Sequence, residues 1–328
     1  MSRPHPGAEP SADPGAEPSA DPGDLGANAE RFSGFAALYD EVRPFPPAEL
    51  ARILARYCGR KAPEVVDLGS GTGLSSRWAA GWAASVVGVE PSDDMRRVAE
   101  SRAPANCRFV AAFAHRTGLP AASADLVLAV QAFHWMDPGP TLDEVARLLR
   151  PGGVFAAVDC DWPPTVGSAE LEAAWAECRS VLRVYETRLA GGADGAALRA
   201  PVEADDPGRA GYSGRDAHRR RTLARGVRSW SKDDHLERIT ASGHFAWCHE
   251  LALHRAEPGD AGRFVELMRS QGDYQSLRRV GLDDQVLGIE QLAATSRRVL
   301  GRRTARWWFT YRVRLGVTPP AGTASTLI

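Results

Sequence analysis

Lysine is almost absent: Lys61 and Lys232 are the only two among forty basic residues, so arginine carries nearly all the positive charge. The five cysteines, Cys58, Cys107, Cys160, Cys178 and Cys248, are scattered, odd in number and without a C-x-x-C pair. That spacing argues against a disulfide framework and supplies no zinc ligand set, and a reducing cytoplasm is the expected compartment. No apolar run approaches the roughly 20 residues of a membrane-crossing helix, and the start of the chain lacks a leader's apolar stretch, so neither membrane insertion nor secretion is expected. Nor does one sign of charge dominate: a formal net charge of -1 lacks the footprint of a nucleic-acid binder, with Arg219-Arg220-Arg221 only a local patch.

What is present supports a large core. At 328 residues and 44% hydrophobic content, one elaborated α/β domain is expected rather than two independent ones. Residues 6–21 are one octapeptide written twice, with no apolar side chain larger than alanine. Residues 1–30 therefore read as a disordered acidic tail rich in proline and alanine. A helix is expected from residue 48, where Leu50, Ile53, Leu54 and Tyr57 recur at helical spacing. Strands at 64–68, 85–90, 108–111, 125–130 and 154–158 then alternate with helices at 74–83, 92–102 and 141–149, the second capped by Ser92 and the last begun by a Thr141/Glu144 capping box. Parallel strands joined by helices imply right-handed crossovers and a doubly wound sheet. Further on, Leu171, Trp175, Cys178, Leu182 and Tyr185 mark a long amphipathic helix, and residues 191–214 read as a mobile loop. Strands at 247–255 and 306–317, with helices at 231–242, around Phe264 and from Val286 to the break at Gly301, complete the pattern.

The chemistry-bearing signal is Val65-Val66-Asp67-Leu68-Gly69-Ser70-Gly71-Thr72-Gly73, followed by Val86-Val87-Gly88-Val89-Glu90. A buried strand ending in an acid leads into a glycine turn on which no side chain blocks a ligand. Glu90 ends the neighbouring strand, where a carboxylate can accept both hydroxyls of a ribose. Two cofactor classes share that arrangement. A dinucleotide site would read G-x-G-x-x-G, whereas here the glycines strictly alternate and Leu74 stands at the last glycine position.

The alternating glycines after Asp67, with Glu90, resemble the first two motifs of class I S-adenosylmethionine-dependent methyltransferases. The segments Phe32-Ser33-Gly34-Phe35-Ala36-Ala37-Leu38-Tyr39-Asp40 and Arg43-Pro44-Phe45-Pro46 resemble the opening of the type 11 group, which includes proteins like trans-aconitate methyltransferase. Gly118-Leu119-Pro120, Asp125-Leu126-Val127, Gln131-Ala132-Phe133-His134-Trp135-Met136-Asp137 and Leu148-Leu149-Arg150-Pro151-Gly152-Gly153 continue the likeness in order. Phe264-Val265-Glu266-Leu267-Met268-Arg269-Ser270 is similar to a late helix of that group. The resemblance implies a seven-stranded Rossmann-like sheet whose last strand runs antiparallel. It divides the chain into an S-adenosylmethionine-binding core at 31–160, an inserted helical cap at 161–245, the rest of the sheet at 246–318 and a flexible tail at 319–328.

It also implies roles. Asp67, Gly69, Ser70, Gly71 and Gly73 would hold the methionine part of S-adenosyl-L-methionine, Glu90 the ribose, Pro91 and Met95 the adenine face, and Ala114 and His115 the adenine edge, with Gln131 beside the donor. His115 stands where relatives carry an acid, so adenine recognition departs from the pattern there, and an edge histidine without a ligand is the other reading. His134 is the candidate general base, since histidine titrates near neutrality, although it could equally wall the pocket. Tyr39, the second catalytic candidate, and Arg43 would belong to an N-terminal lid closing over the donor, with aromatic packing the other role open to Tyr39. Arg43, Trp135 and Arg269 are candidates for the acceptor, with Arg219 a further arginine of the right type. Trp175, Tyr185, Trp230 and Tyr274 could form an apolar cup. Asp159 and Asp161 lack a matching acid at the end of the fourth strand, so no metal is expected. The expected function is methyl transfer to a small-molecule acceptor at oxygen, carbon or carboxylate, in specialised metabolism, by a monomer or homodimer with no nucleic-acid or membrane partner. The alternatives are an NAD(P)-dependent oxidoreductase and a non-catalytic S-adenosylmethionine-binding regulator.

Overall fold

The computed structural model describes residues 25–193, 198, 221–222 and 227–322. The octapeptide repeat, Arg219 and most of the 191–214 segment lie outside the described residues. Seven strands form one sheet: β1 (Glu64–Leu68), β2 (Ser85–Val89), β3 (Cys107–Val110), β4 (Ala124–Val130), β5 (Leu149–Cys160), β6 (Trp247–Gly259) and β7 (Ala305–Val317), in the order β3-β2-β1-β4-β5-β7-β6. The first five are mutually parallel. β7 inserts antiparallel between β5 and β6, placing Asp159 opposite Arg312. The expected doubly wound α/β sheet with an antiparallel last strand is what the chain forms.

Burial explains why the central strands read as unbroken apolar runs. On β4, Leu126 and Leu128 enter one packed layer while Val127 and Ala129 enter the other. A strand covered on both faces needs no polar alternation. The edge strand β6, exposed at every second or third position, alternates as half-covered strands do. No helix among the described residues is long and apolar enough to cross a membrane.

Four expectations are corrected. The tail does not extend to residue 30, because α1 (Gly26–Glu30) is helical and Leu25 and Asn28 are buried. The Thr141/Glu144 capping box does not form. Helix α6 (Pro138–Leu148) starts a turn earlier, with proline at the position where its missing N–H costs nothing. Glu144 instead accepts the Thr117 backbone N–H at 2.9 Å. Ser92 precedes α5 (Asp93–Ser101) without a side-chain cap, and its backbone N–H is donated to Glu90.

The last correction concerns the cap. Helix α7 (Ala169–Ala190) packs against the later helices α10 (Gly272–Arg279) and α11 (Ile289–Leu300), and its Trp175 ring lies 5.1 Å from that of Phe264 on the helix Ala261–Arg269. Of the described residues between 161 and 245, only Trp162 lines the cleft described below. Among the described residues the cover comes from the N-terminal side, α1 and α2 (Ala36–Val42). Helix α2 is anchored by the buried Asp40, which holds Arg77 of α4 (Leu74–Ala80) and Arg102.

Candidate active site

A cleft opens at the carboxyl edge of the sheet. On one side it is lined by Gly69, Ser70, Gly71, Glu90, Pro91 and Met95, with Phe113, Ala114 and His115 beyond. The three alternating glycines all have positive φ but differ in what they do. A Cβ on Gly69 would come within 2.8 Å of Ala132 and Met136, and one on Gly73 within 2.9 Å of Phe109. At Gly71 it would meet nothing within 4 Å. Two of the glycines therefore pack the loop against the protein, and the middle one leaves space on the cleft side.

Glu90 closes this loop. Its Oε2 accepts the Gly71 N–H at 2.9 Å and its Oε1 the Ser92 N–H at 2.8 Å, leaving a lone pair on each oxygen for further donors. Burial pushes its carboxyl up to about 7, the two N–H groups only partly opposing. Asp67 is fully buried and does not line the cleft. Its Oδ2 accepts the Ser75 and Ser76 hydroxyls at 2.6 Å each, fastening the end of β1 to α4, while burial pushes it up to about 6. Asp67 Oδ1, Ser70 Oγ and Thr72 Oγ1 are buried without a hydrogen-bond partner among the described residues. His115 faces the cleft with its ring stacked 5.7 Å from Phe113.

The far wall follows β4. Gln131 lines the cleft and adopts φ 54°, rare for a residue with a side chain. His134 does not line it. The turn Phe133–Trp135 sends His134 behind the wall, its Nδ1 3.5 Å from Asp159 and its backbone carbonyl accepting the Trp230 N–H. Burial, with Lys232 nearby, pushes the His134 imidazole down to about 4, so it is neutral and turned away from any cleft ligand. The candidate base is thus misplaced, because each residue along this 3₁₀ turn rotates the side chain by about 120°, and Trp135 takes the cleft position.

Asp159, His134 and His235 converge closely enough to suggest a metal site. Both Asp159 oxygens are already engaged by cations, Lys232 on Oδ1 and Arg314 on Oδ2, each at 3.1 Å. A metal ion would have to enter against those two charges. Asp159 is held well below the usual carboxylate range by Lys232 and the neighbouring histidines, which together outweigh its burial.

The other end of the cleft is lined by Tyr39, Arg43, Pro46, Cys160, Trp162 and Tyr311. The Arg43 guanidinium lies between the Tyr39 and Trp162 rings, 4.7 Å from each, and donates to the Ser270 hydroxyl and carbonyl at 2.9 Å. Arg269 is not brought there: it pairs with Glu266 and Asp284. Trp175 and Tyr185 are core, Tyr274 donates to Asp284, and Trp230 is not on the cleft.

Several residues that line or support the cleft were missed by sequence reasoning. Trp162 follows β5 directly and could have been found by the same carboxyl-edge rule that located Gln131. Asn28 gave no signal. Lys232 had one, its rarity as a lysine. Asn28 Nδ2 donates to the carbonyls of Trp135 (2.7 Å) and Arg228 (2.9 Å), while Oδ1 accepts the Arg228 N–H (2.8 Å). One amide thus ties the lid helix to the cleft wall and to an extended strap, residues 228–232.

Residues 66–157 match the family model described as a methyltransferase domain. An uncharacterized methyltransferase of Mycobacterium tuberculosis is 35% identical over 127 residues, covering 39% of this chain and 51% of that protein. A trans-aconitate 2-methyltransferase of Azoarcus sp. is 40% identical over 110 residues, 32% of this chain and 42% of that one. The chain spans about half the length of the curated relatives it matches. The solved structure of a protein from Anaeromyxobacter dehalogenans, provisionally assigned as a type II methyltransferase, superposes with a TM-score of 0.55 at 24% identity, over 85% of this chain and 99% of that one. That likeness carries the fold.

Proposed function

We propose that this chain, whose residues 66–157 match a methyltransferase-domain model, is a class I methyltransferase that transfers a methyl group from S-adenosylmethionine to a small-molecule acceptor. The observation that carries the reading is Glu90: a buried carboxylate facing the cleft, tied to the glycine loop, with acceptor capacity left on both oxygens. The orphaned hydroxyls of Ser70 and Thr72 and the open space at Gly71 fit a polar ligand laid along the same loop.

When bound, S-adenosylmethionine would supply an electrophilic methyl group on a positively charged sulfur. Glu90 would hold the ribose, Ser70 and Gly71 the methionine part, Pro91 and Met95 the adenine face, and Ala114 with His115 the adenine edge. Asp67, Gly69 and Gly73 act one step back, by shaping the loop. Much of the catalysis is then positional: the walls hold donor and acceptor in line and exclude water.

At the acceptor end, Arg43 orients the substrate, while Tyr39 and Trp135 pack against it. With His134 turned away, no group among the described residues at this end is suited to take a proton near neutral pH. Burial pushes the Cys160 thiol up to about 12, and Tyr311 is pushed well up while donating to the Phe45 carbonyl. An acceptor already ionised, such as a carboxylate, asks least of this cleft, since it needs only an arginine to orient it.

The test is incubation with isotopically labelled S-adenosylmethionine and a metabolite extract, followed by mass spectrometry. A labelled product, lost in Gly71→Arg, is expected. Binding without transfer would leave a ligand-binding regulator. Calorimetric heat with a nicotinamide dinucleotide but none with S-adenosylmethionine would turn the assignment to an oxidoreductase.

A further inference from the structure

Gln131 lines the cleft in a left-handed backbone conformation, and its amide is held at both ends. Nε2 donates to the Cys160 carbonyl at 3.1 Å, and Oε1 accepts from Lys232 Nζ at 2.8 Å. A flipped amide would set its carbonyl against that of Cys160 and its NH2 against an ammonium, so the two partners fix one orientation. One Nε2–H is left without a partner among the described residues.

Lys232 is not itself on the cleft. It arrives on the strap that Asn28 and the His134 carbonyl stitch down through Arg228 and Trp230. Its ammonium is shared between Gln131 and the buried Asp159, whose other oxygen belongs to Arg314. Arg314 is itself shared between Asp159 and Glu250 (Nε to Oε2, 2.6 Å), so Lys232 does serve Asp159 as a counter-charge, but among the described residues only Lys232 reaches Gln131 Oε1. The lysine therefore makes one contact, with Gln131, that counter-charge for Asp159 does not account for.

We propose that Lys232 is the positioning residue for Gln131: it sets the amide so that an N–H donor is available to the bound S-adenosylmethionine. This rests on the methyltransferase reading. The probe is S-adenosylhomocysteine, titrated calorimetrically into the full chain and into Lys232→Met, Lys232→Arg, Gln131→Ala and the Lys232→Met/Gln131→Ala double variant, with thermal unfolding of each ligand-free protein.

Lys232→Met should weaken affinity about tenfold, the scale of one hydrogen bond to a charged group. Lys232→Arg should recover most of it, and the double variant should match Gln131→Ala within twofold. Folded Lys232→Met with wild-type affinity, or losses that multiply in the double variant, would overturn the proposal. Should Lys232→Met fail to fold, Lys232→Gln, which can still hydrogen-bond Asp159, is read by the same criteria. A wild-type chain that gives no heat with S-adenosylhomocysteine removes the methyltransferase reading and this one with it. Heat from the wild type together with an indifferent Lys232 removes this one alone.

Discussion

Two sets of buried ionisable side chains flank β4 at the carboxyl edge of the sheet, and burial leaves them in opposite states. On the β1–β2 side, among the described residues, the carboxylates of Asp67 and Glu90 accept hydrogen bonds only from hydroxyls and backbone N–H groups, and burial pushes them up to about 6 and about 7. On the β5 side, Asp159 is ringed by Lys232, Arg314 and two histidines and is held far below the usual carboxylate range. Those histidines, His134 and His235, are driven the other way by burial, to about 4 and about 3. The undercompensated carboxylate at the cleft is poised to accept a ligand's hydroxyl hydrogens. The fully compensated one, hidden behind the wall, is framework.

The contrast can be broken most severely at Asp159. Asp159→Ala strands buried cations and should cost about 3–5 kcal/mol of stability, read by denaturant unfolding. A loss under 1 kcal/mol would mean that the cluster is not the framework it resembles. Next comes Glu90→Gln. It should weaken S-adenosylhomocysteine binding about a hundredfold by calorimetry, through charge-assisted hydrogen bonds worth about 1.5–3 kcal/mol each. It should leave the melting temperature at neutral pH unchanged or higher.

The sign of that second effect follows from linkage. Glu90 is raised in the fold from 4.5 to about 7, so the folded protein keeps a proton that the unfolded chain gives up. Its contribution is greatest below pH 4.5 and is lost as pH rises through 7. The histidines slope the other way: lowered from 6.5, their contribution is present above pH 6.5 and is lost as pH falls towards 4. The smallest expected effect is on binding. Affinity for S-adenosylhomocysteine should fall roughly tenfold from pH 8 to pH 6 as Glu90 takes up its proton, and Glu90→Gln should flatten that profile. A profile equally steep in the variant would assign the titration elsewhere.

Legibility in the sequence followed the same divide. The β1 loop and Glu90 were readable because glycine spacing and a strand-end acid are local properties of a few consecutive residues. The strands were readable because burial on two faces writes itself as continuous apolar runs. The cleft's roof was not, since Asn28 acts through a backbone 200 residues away. Nor could residue types separate His134 from its neighbours, because the turn after β4 decides which of Gln131, His134 and Trp135 faces the cleft. Arg269 and Arg43 look alike in sequence, and only the ion pairs to Glu266 and Asp284 show that one is already taken.

The Asn28 amide has a consequence for how the chain becomes competent. The βα units from β1 to β3 close through contacts a few tens of residues apart, whereas the mouth is sealed by links spanning 107, 200 and 266 residues, from Asn28 to Trp135, Asn28 to Arg228 and Phe45 to Tyr311. Contacts of such separation form late, after the entropy of closing long loops has been met. A nascent chain halted before residue 227 would carry the glycine loop and Glu90 yet have no sealed chamber, so ligand capture should emerge only near the end of synthesis.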